Sequence, residues 1–369
     1  MMFLKYNNLI AVSLFIKPRN MKRFFTILTC ALMVLVGTKG YSQVYDGLYR
    51  TLTSPHTARM AAMGNMTLPM HDGDLQTTLY NPSSICPSMN NQISLSYVGD
   101  FKLGTNYAMA QYSHTFNGVS SFAATVQYNN YGEMAYADES GTTDGSTFLV
   151  SDYAVVVGWG RELTDKWSIG ANLKYVGVQY ETGRAGALGV DVAATYWSYT
   201  NWAFTLAGRN IGHQLFVVDM QNDEGWLPLS LDFTASKKLN HLPLTIVLGF
   251  RDLLHWNKAY IDPLHLSGSY DPITGEYTTP SKTAMFFANL GCHIVIGGEL
   301  EIGKNLLIRA SYNYADNYNM KVPEKRSLVG LSAGIGIRIK AFQIDYAYSR
   351  SNIVGSPHFL SLRLDLSKF

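Results

Sequence analysis

The sequence predicts an all-β protein: a transmembrane antiparallel β-barrel of about fourteen strands with an N-terminal plug or hatch segment. Three observations predict it. Of 369 residues only 15% are charged, while 13% are aromatic and 24 are Tyr; soluble domains carry about 25% charge. From residue 92 onward, apolar and polar residues alternate with the period that places them on opposite faces of a strand. The connections between these segments alternate between tight turns and longer polar loops, the pattern of outer-membrane barrels.

The first 42 residues have a separate role. Met21, Lys22 and Arg23 form a basic start, Phe24 through Val36 an apolar core, and Gly40, Tyr41 and Ser42 a small-residue stretch before a cleavage point at Gln43. This reads as a signal peptide over 21–42, with 1–20 as an upstream extension. Residues 1–42 hold six basic residues and no acid, so the remainder carries 23 basic against 27 acidic groups, a net charge of about −4. No nucleic-acid partner is expected of such a chain. Beyond residue 42 no apolar stretch approaches the roughly 18 residues of a membrane-spanning helix. Cys30, Cys86 and Cys292 lack metal-ligand spacing, which sets structural zinc sites aside; Cys86 and Cys292 either pair or pack as free thiols.

Residues 43–91 form the expected hatch. Thr57 through Gly64 suit a short helix ending in glycine, followed by His71-Asp72-Gly73-Asp74 and by Tyr80-Asn81-Pro82. The segment is too polar to face lipid, so its place is inside or beneath the barrel, with Arg59, Gly64, Asp72, Asp74, Asn81 and Pro82 as its characteristic residues. The barrel occupies 92–369.

Strands are expected near 92–98, 105–115, 118–131, 151–163, 166–180, 187–199, 202–213, 228–239, 243–255, 287–302, 305–315, 327–340, 341–350 and 357–369. The last is the clearest: Leu360, Leu362, Leu364 and Leu366 oppose Ser361, Arg363, Asp365 and Ser367. Connections near 116–117, 164–165, 200–201, 240–242, 303–304 and 340–341 are tight, while 132–150, 214–227, 256–286 and 316–326 are long. Short periplasmic turns and long external loops place both termini in the periplasm.

The polar parity carries Lys174, Asp191, Asp232, Arg309, Arg338, Asp345 and Arg363. A charge at the midplane of the lipid face costs about 2–4 kcal/mol, so these side chains are expected to face the lumen. They form either a charged conduit or a ladder of ion pairs that braces the wall or holds the plug. By the same argument a hydrated lumen would accept Arg at Ser361, whereas Leu364 on the lipid face would not.

Catalytic and cofactor signatures are absent. No nucleophile elbow or phosphate-binding glycine loop is present, and His71 with Asp72 and Asp74 offers too few oxygens for a divalent cation. No catalytic residue, metal or cofactor is expected.

The hatch run Thr57 to Gly64, with Asp72-Gly73-Asp74 and Tyr80-Asn81-Pro82, resembles the amino-terminal segment of FadL-type barrels, which implies fourteen strands and an internal plug. Asn91 to Val98, Gln127 to Gly132 with Ala137-Asp138-Glu139, Gly158-Trp159-Gly160-Arg161, Gly170 to Lys174, Arg209-Asn210-Ile211-Gly212 and Pro357-His358-Phe359 resemble the PorQ family of the Bacteroidota type IX secretion system. That similarity spans essentially all of 45–369. It implies a non-enzymatic outer-membrane component of the cell-surface attachment complex, holding a PorZ-like surface protein near PorU and PorV for attachment of cargo to anionic lipopolysaccharide. The alternative is a FadL-like channel for apolar solutes. If a partner is held, loop 256–286 is the candidate surface, through Trp256, Tyr260, Tyr270 and Tyr277. Phe369 resembles the aromatic end of a signal for the barrel-assembly machinery, although in a regular strand it would fall on the polar parity.

Overall fold

Fourteen antiparallel strands close on themselves in the computed structural model, which describes residues 48–116, 118, 120–137, 142–219, 225–260, 281–320, 328–351 and 355–369. In chain order they are β1 (Gln92–Asp100), β2 (Thr105–Phe116), β3 (Ser120–Ala137), β4 (Thr143–Thr164), β5 (Trp167–Tyr180), β6 (Gly183–Trp197) and β7 (Trp202–Val218). They continue with β8 (Ser230–Lys238), β9 (Leu244–Phe250), β10 (Ile294–Ile302), β11 (Leu306–Asn313), β12 (Leu331–Ile339), β13 (Phe342–Ser349) and β14 (His358–Asp365). Closure is made by β1 against β14, from Gln92 opposite Asp365 to Gly99 opposite His358. A closed ladder satisfies every strand without an edge, the condition for crossing a bilayer with β structure.

Burial is inverted relative to a soluble protein. On β13, Phe342, Ile344, Tyr346 and Tyr348 are exposed, while Gln343, Asp345 and Ala347 are buried. On β12, Leu331, Ile335, Ile337 and Ile339 are exposed and Ser332 is buried. An apolar exterior over a polar interior is stable only where the surrounding medium is lipid.

The interior is filled by the hatch. It contains helix α1 (Ala58–Ala62) and four 3-10 turns at Arg50–Leu52, Leu75–Thr77, Pro82–Ser84 and Pro87–Met89. Its polar residues earn their positions as caps: Thr57, Asp74 and Asn81 accept from the backbone amides of Met60, Gln76 and Ser83, satisfying donors that a buried turn would otherwise leave orphaned. The hatch backbone lies directly on the wall at Gly160 and Gly170, which face each other across β4 and β5. A Cβ at Gly160 would collide with the carbonyl oxygen of Ile85, and one at Gly170 with that of Pro82.

Several expectations are corrected. The expected loop 132–150 is largely sheet: β3 and β4 stay paired beyond register shifts between Asn130 and Glu133 and between Ala135 and Ala137. Gly132, at φ 86°, supplies the backbone that such a shift requires. Strand β9 stops at Phe250 rather than 255, and residues expected to begin the next strand belong to helix α2 (Lys282–Cys292), capped by Ser281. Helix α3 (Tyr314–Asn319), capped by Asn313, occupies the start of the expected loop 316–326. In α2 the Ser281 cap followed by helix formers overrides a short apolar run that alternation alone reads as strand, and in α3 the Asn313 cap starts a single helical turn where a loop was expected.

The last strand ends at Asp365 and not at Phe369. Asp365 caps a 3-10 turn, Leu366–Lys368, and the turn breaks the parity. Phe369 thereby packs edge-on against lipid-facing Phe342, with centroids 5.8 Å apart. Ser361 is also not hydrated: it is fully buried, with its hydroxyl 2.7 Å from that of Ser96 and 2.9 Å from the amide of Ala58. Arg has no room there.

Candidate functional site: the hatch and the lumen wall

Two buried ionic clusters join hatch to wall. At the centre of the first, Arg59 on α1 is wholly buried and reaches Asp72 and, at 2.9 Å, Asp74 within the hatch, and Glu299 of β10 at 3.0 Å. Glu299 and Asp345 are bridged by Arg309. Gln76 of the hatch donates to Asp345 at 2.6 Å. Arg363 closes the cluster, donating to the carbonyl of Gly73 at 3.0 Å and to Gln343 at 2.7 Å. Arg338 lies at its margin, 2.9 Å from Gln343 and 3.7 Å from Glu301. Burial alone would raise the carboxyl groups of Asp72 and Asp74; the guanidinium groups of Arg59 and Arg363 around them hold both below the usual carboxylate range.

The second cluster is built from β5 to β8. Lys174 pairs with Asp191 at 2.6 Å and donates to Asn210 at 3.0 Å. Arg209 pairs with Asp232 at 3.1 Å and lies over the Tyr80 ring of the hatch at 4.9 Å. Thr67 of the hatch donates to Asp232 at 3.2 Å. Arg209 and Asn210 are both buried although adjacent, because the ladder shifts between Val190 and Val192 and leaves Asp191 facing both. Asn210 takes φ 57° at this bulge, and its amide donates to Asp191 at 2.8 Å.

Between the clusters lies an apolar seam. Met60, Met63, Met66, Leu68 and Met70 of the hatch pack with Met109, Val156, Val247 and Val295 of the wall. Gly64, at φ 66°, turns the chain where a Cβ would press within 2.6 Å of Val295.

All seven charges expected in the lumen, Lys174, Asp191, Asp232, Arg309, Arg338, Asp345 and Arg363, lie on the inner side, paired as ladders and not lining an open conduit. All six hatch residues lie within the plug: Asn81 also ties its turn to the extended stretch around Leu68 by donating to the Leu68 carbonyl at 2.9 Å, and Pro82 begins that turn. His71 is separated in role from Asp72 and Asp74: its ring turns to Glu162, 2.8 Å away. Glu299, Arg209, Gln76 and Gln343 were missed by the sequence reading. Alternation of Ile296, Gly298 and Leu300 with Glu299 and Glu301 is a usable signal for the first; the bulge at Arg209 leaves none.

At the opposite end of the barrel from the tight turns, Trp256 stacks on His293 at 5.4 Å and tilts against Phe286 at 5.3 Å. Tyr260 is exposed, and its amide donates to Asn319 at 2.9 Å. Tyr270 and Tyr277 lie outside the described residues. Cys86 and Cys292 are both free.

Strands and hatch together define a closed fourteen-strand antiparallel β-barrel whose interior holds an N-terminal plug. The toluene transporter TbuX of Ralstonia pickettii superposes with a TM-score of 0.52 at 12% identity, over 85% of this chain and 99% of that one. The toluene transporter TodX of Pseudomonas putida gives 0.50 at 13% identity, over 84% and 96%. At such identities the likeness is one of fold. No family model matches the chain, and no curated protein matches it in sequence.

Proposed function

We propose that this chain is a non-enzymatic outer-membrane channel that admits small apolar solutes past its hatch. The observation that carries the reading is the methionine-rich seam between hatch and wall. Along that seam unbranched thioether side chains adapt to irregular shapes, giving an apolar solute compatible surface between hatch and wall. The fold shared with two toluene transporters supports the same reading. The long loops then face outward and both termini inward. Uptake of radiolabelled toluene by cells expressing the intact barrel, compared with Met63→Lys and Met66→Lys variants, tests it. Equal uptake by all three, and by cells without the barrel, refutes it.

A second reading is favoured by the sequence: the resemblance to the PorQ family, with exposed Trp256, Tyr260, Phe286 and Phe287 gathered at the long-loop end. In that reading the barrel is a scaffold of the type IX secretion system that holds a PorZ-like surface protein near PorU and PorV. Affinity purification from detergent-solubilised outer membrane, with and without Trp256→Ala, distinguishes the two: recovery of one stoichiometric surface protein that the variant loses supports the scaffold.

A further inference from the structure

His71, Cys86 and Glu162 come from three parts of the chain and meet at the tight-turn rim. Their imidazole nitrogen, thiol sulfur and carboxylate oxygen all lie within 4.8 Å of one another. His71 and Cys86 belong to the hatch; Glu162 stands near the end of β4. We propose that these three side chains form a binding site for a divalent transition metal of the zinc type, and that the bound ion clasps the hatch to the barrel wall.

The donor set points to that class of ion. Nitrogen, sulfur and oxygen together match borderline-soft cations, whereas calcium and magnesium take oxygen-only shells. A tetrahedral zinc site with bonds of about 2.0–2.3 Å places neighbouring donors about 3.5 Å apart, so modest side-chain rotation completes the geometry. The side chains of His71 and Glu162 are 33% and 41% exposed and so open to an entering ion, while Cys86 is anchored by burial. Three protein ligands leave the fourth position to water. Two neighbours complete the surroundings: Ser88, whose hydroxyl lies 3.0 Å from the Cys86 sulfur, and Trp197, whose ring lies 4.7 Å from that of His71. A metal joining these ligands releases the Cys86 thiol proton to solvent and exchanges the His71–Glu162 hydrogen bond for three coordinate bonds that span hatch and wall.

Titration of the metal-free, detergent-purified protein with Co²⁺ tests the site, because thiolate ligation produces a near-ultraviolet charge-transfer band that nitrogen and oxygen ligands cannot. The expected result is one equivalent bound with that band, abolished by Cys86→Ser and retained by Cys292→Ser. His71→Ala and Glu162→Gln, both at partly exposed positions, weaken binding by about tenfold or more. Zn²⁺ displaces Co²⁺ and delays trypsin cleavage of the hatch in the parent but not in the variants. Absence of the band, or a band unchanged by Cys86→Ser, overturns the proposal. Binding that ignores both His71→Ala and Glu162→Gln overturns it as well.

Discussion

The guanidinium of Arg59 in the hatch lies 3.0 Å from the carboxylate of Glu299 in the barrel wall, 240 residues away in sequence. The pair is the direct ionic link between α1 and the wall, and both partners are buried. Removing one partner of a buried ion pair costs about 3–5 kcal/mol, because the other charge is left without compensation. Arg59→Met is therefore expected to undock α1, giving trypsin access to the hatch and irregular ion conductance in planar bilayers. Arg59→Lys keeps the charge but not the fork that reaches three carboxylates, and is expected to fall between the two. Conductance as quiet as that of the parent in Arg59→Met would contradict the bracing role.

Glycine at 170 is expected to matter for docking and not for barrel closure. A side chain there strikes the carbonyl of Pro82, while valine itself suits a strand. Gly170→Val should insert and show normal heat-modifiable migration on gels, yet expose the hatch around Pro82 to protease. Protection equal to that of the parent would mean the hatch can retreat from the wall without loss.

Arginine on either side of β14 is expected to be harmful, for different reasons. Leu362→Arg puts a charge into lipid, at about 2–4 kcal/mol near the midplane. Ser361→Arg drives a side chain into the packed amide of Ala58. Deleting 45–88 separates them: in that background Ser361→Arg adds no further assembly defect, whereas Leu362→Arg still does. Heat-modifiable mobility of the four proteins reads the outcome.

Docking of the hatch is expected to weaken in mild acid through His56. Burial lowers its pKa from 6.5 to about 4, against the opposing hydrogen bond between its Nε2 and the side-chain oxygen of Asn129, 3.2 Å away. The docked hatch thus holds His56 neutral, while an undocked hatch takes up a proton below pH 6.5. Stability is therefore full above 6.5 and is lost as pH falls towards 4, by on the order of 3 kcal/mol in total. Asp72 and Asp74, held below the usual carboxylate range, add their loss only at still lower pH. The midpoint temperature for hatch release, measured from pH 8 to 4, should fall across this window, and His56→Phe should flatten it.

Much of this architecture is legible in the sequence because it follows from periodicity. Leu360 to Leu364 and Phe342 to Tyr348 face lipid for the same reason that they alternate: successive strand residues point to opposite sides, and lipid accepts only the apolar set. Fourteen segments, the lumenal parity of Arg309 and Asp345, and the hatch with its Thr57 and Asn81 caps are all local patterns. Loop 132–150 and residues 287–293 were misread because strand extension through a bulge and helix capping are decided by neighbours that alternation does not see.

What only the tertiary structure decided is which side chains meet. Glycines at 160 and 170 are recognisable in the sequence, but their need arises from a hatch backbone pressed on the wall. The pairing of Arg59 with Glu299, the joint burial of Arg209 and Asn210 opposite Asp191, and the gathering of His71, Cys86 and Glu162 have no spacing to read. Each depends on a barrel of fixed register closing around a segment that precedes it. Alternation fixes the face a residue takes; closure and packing fix its partner.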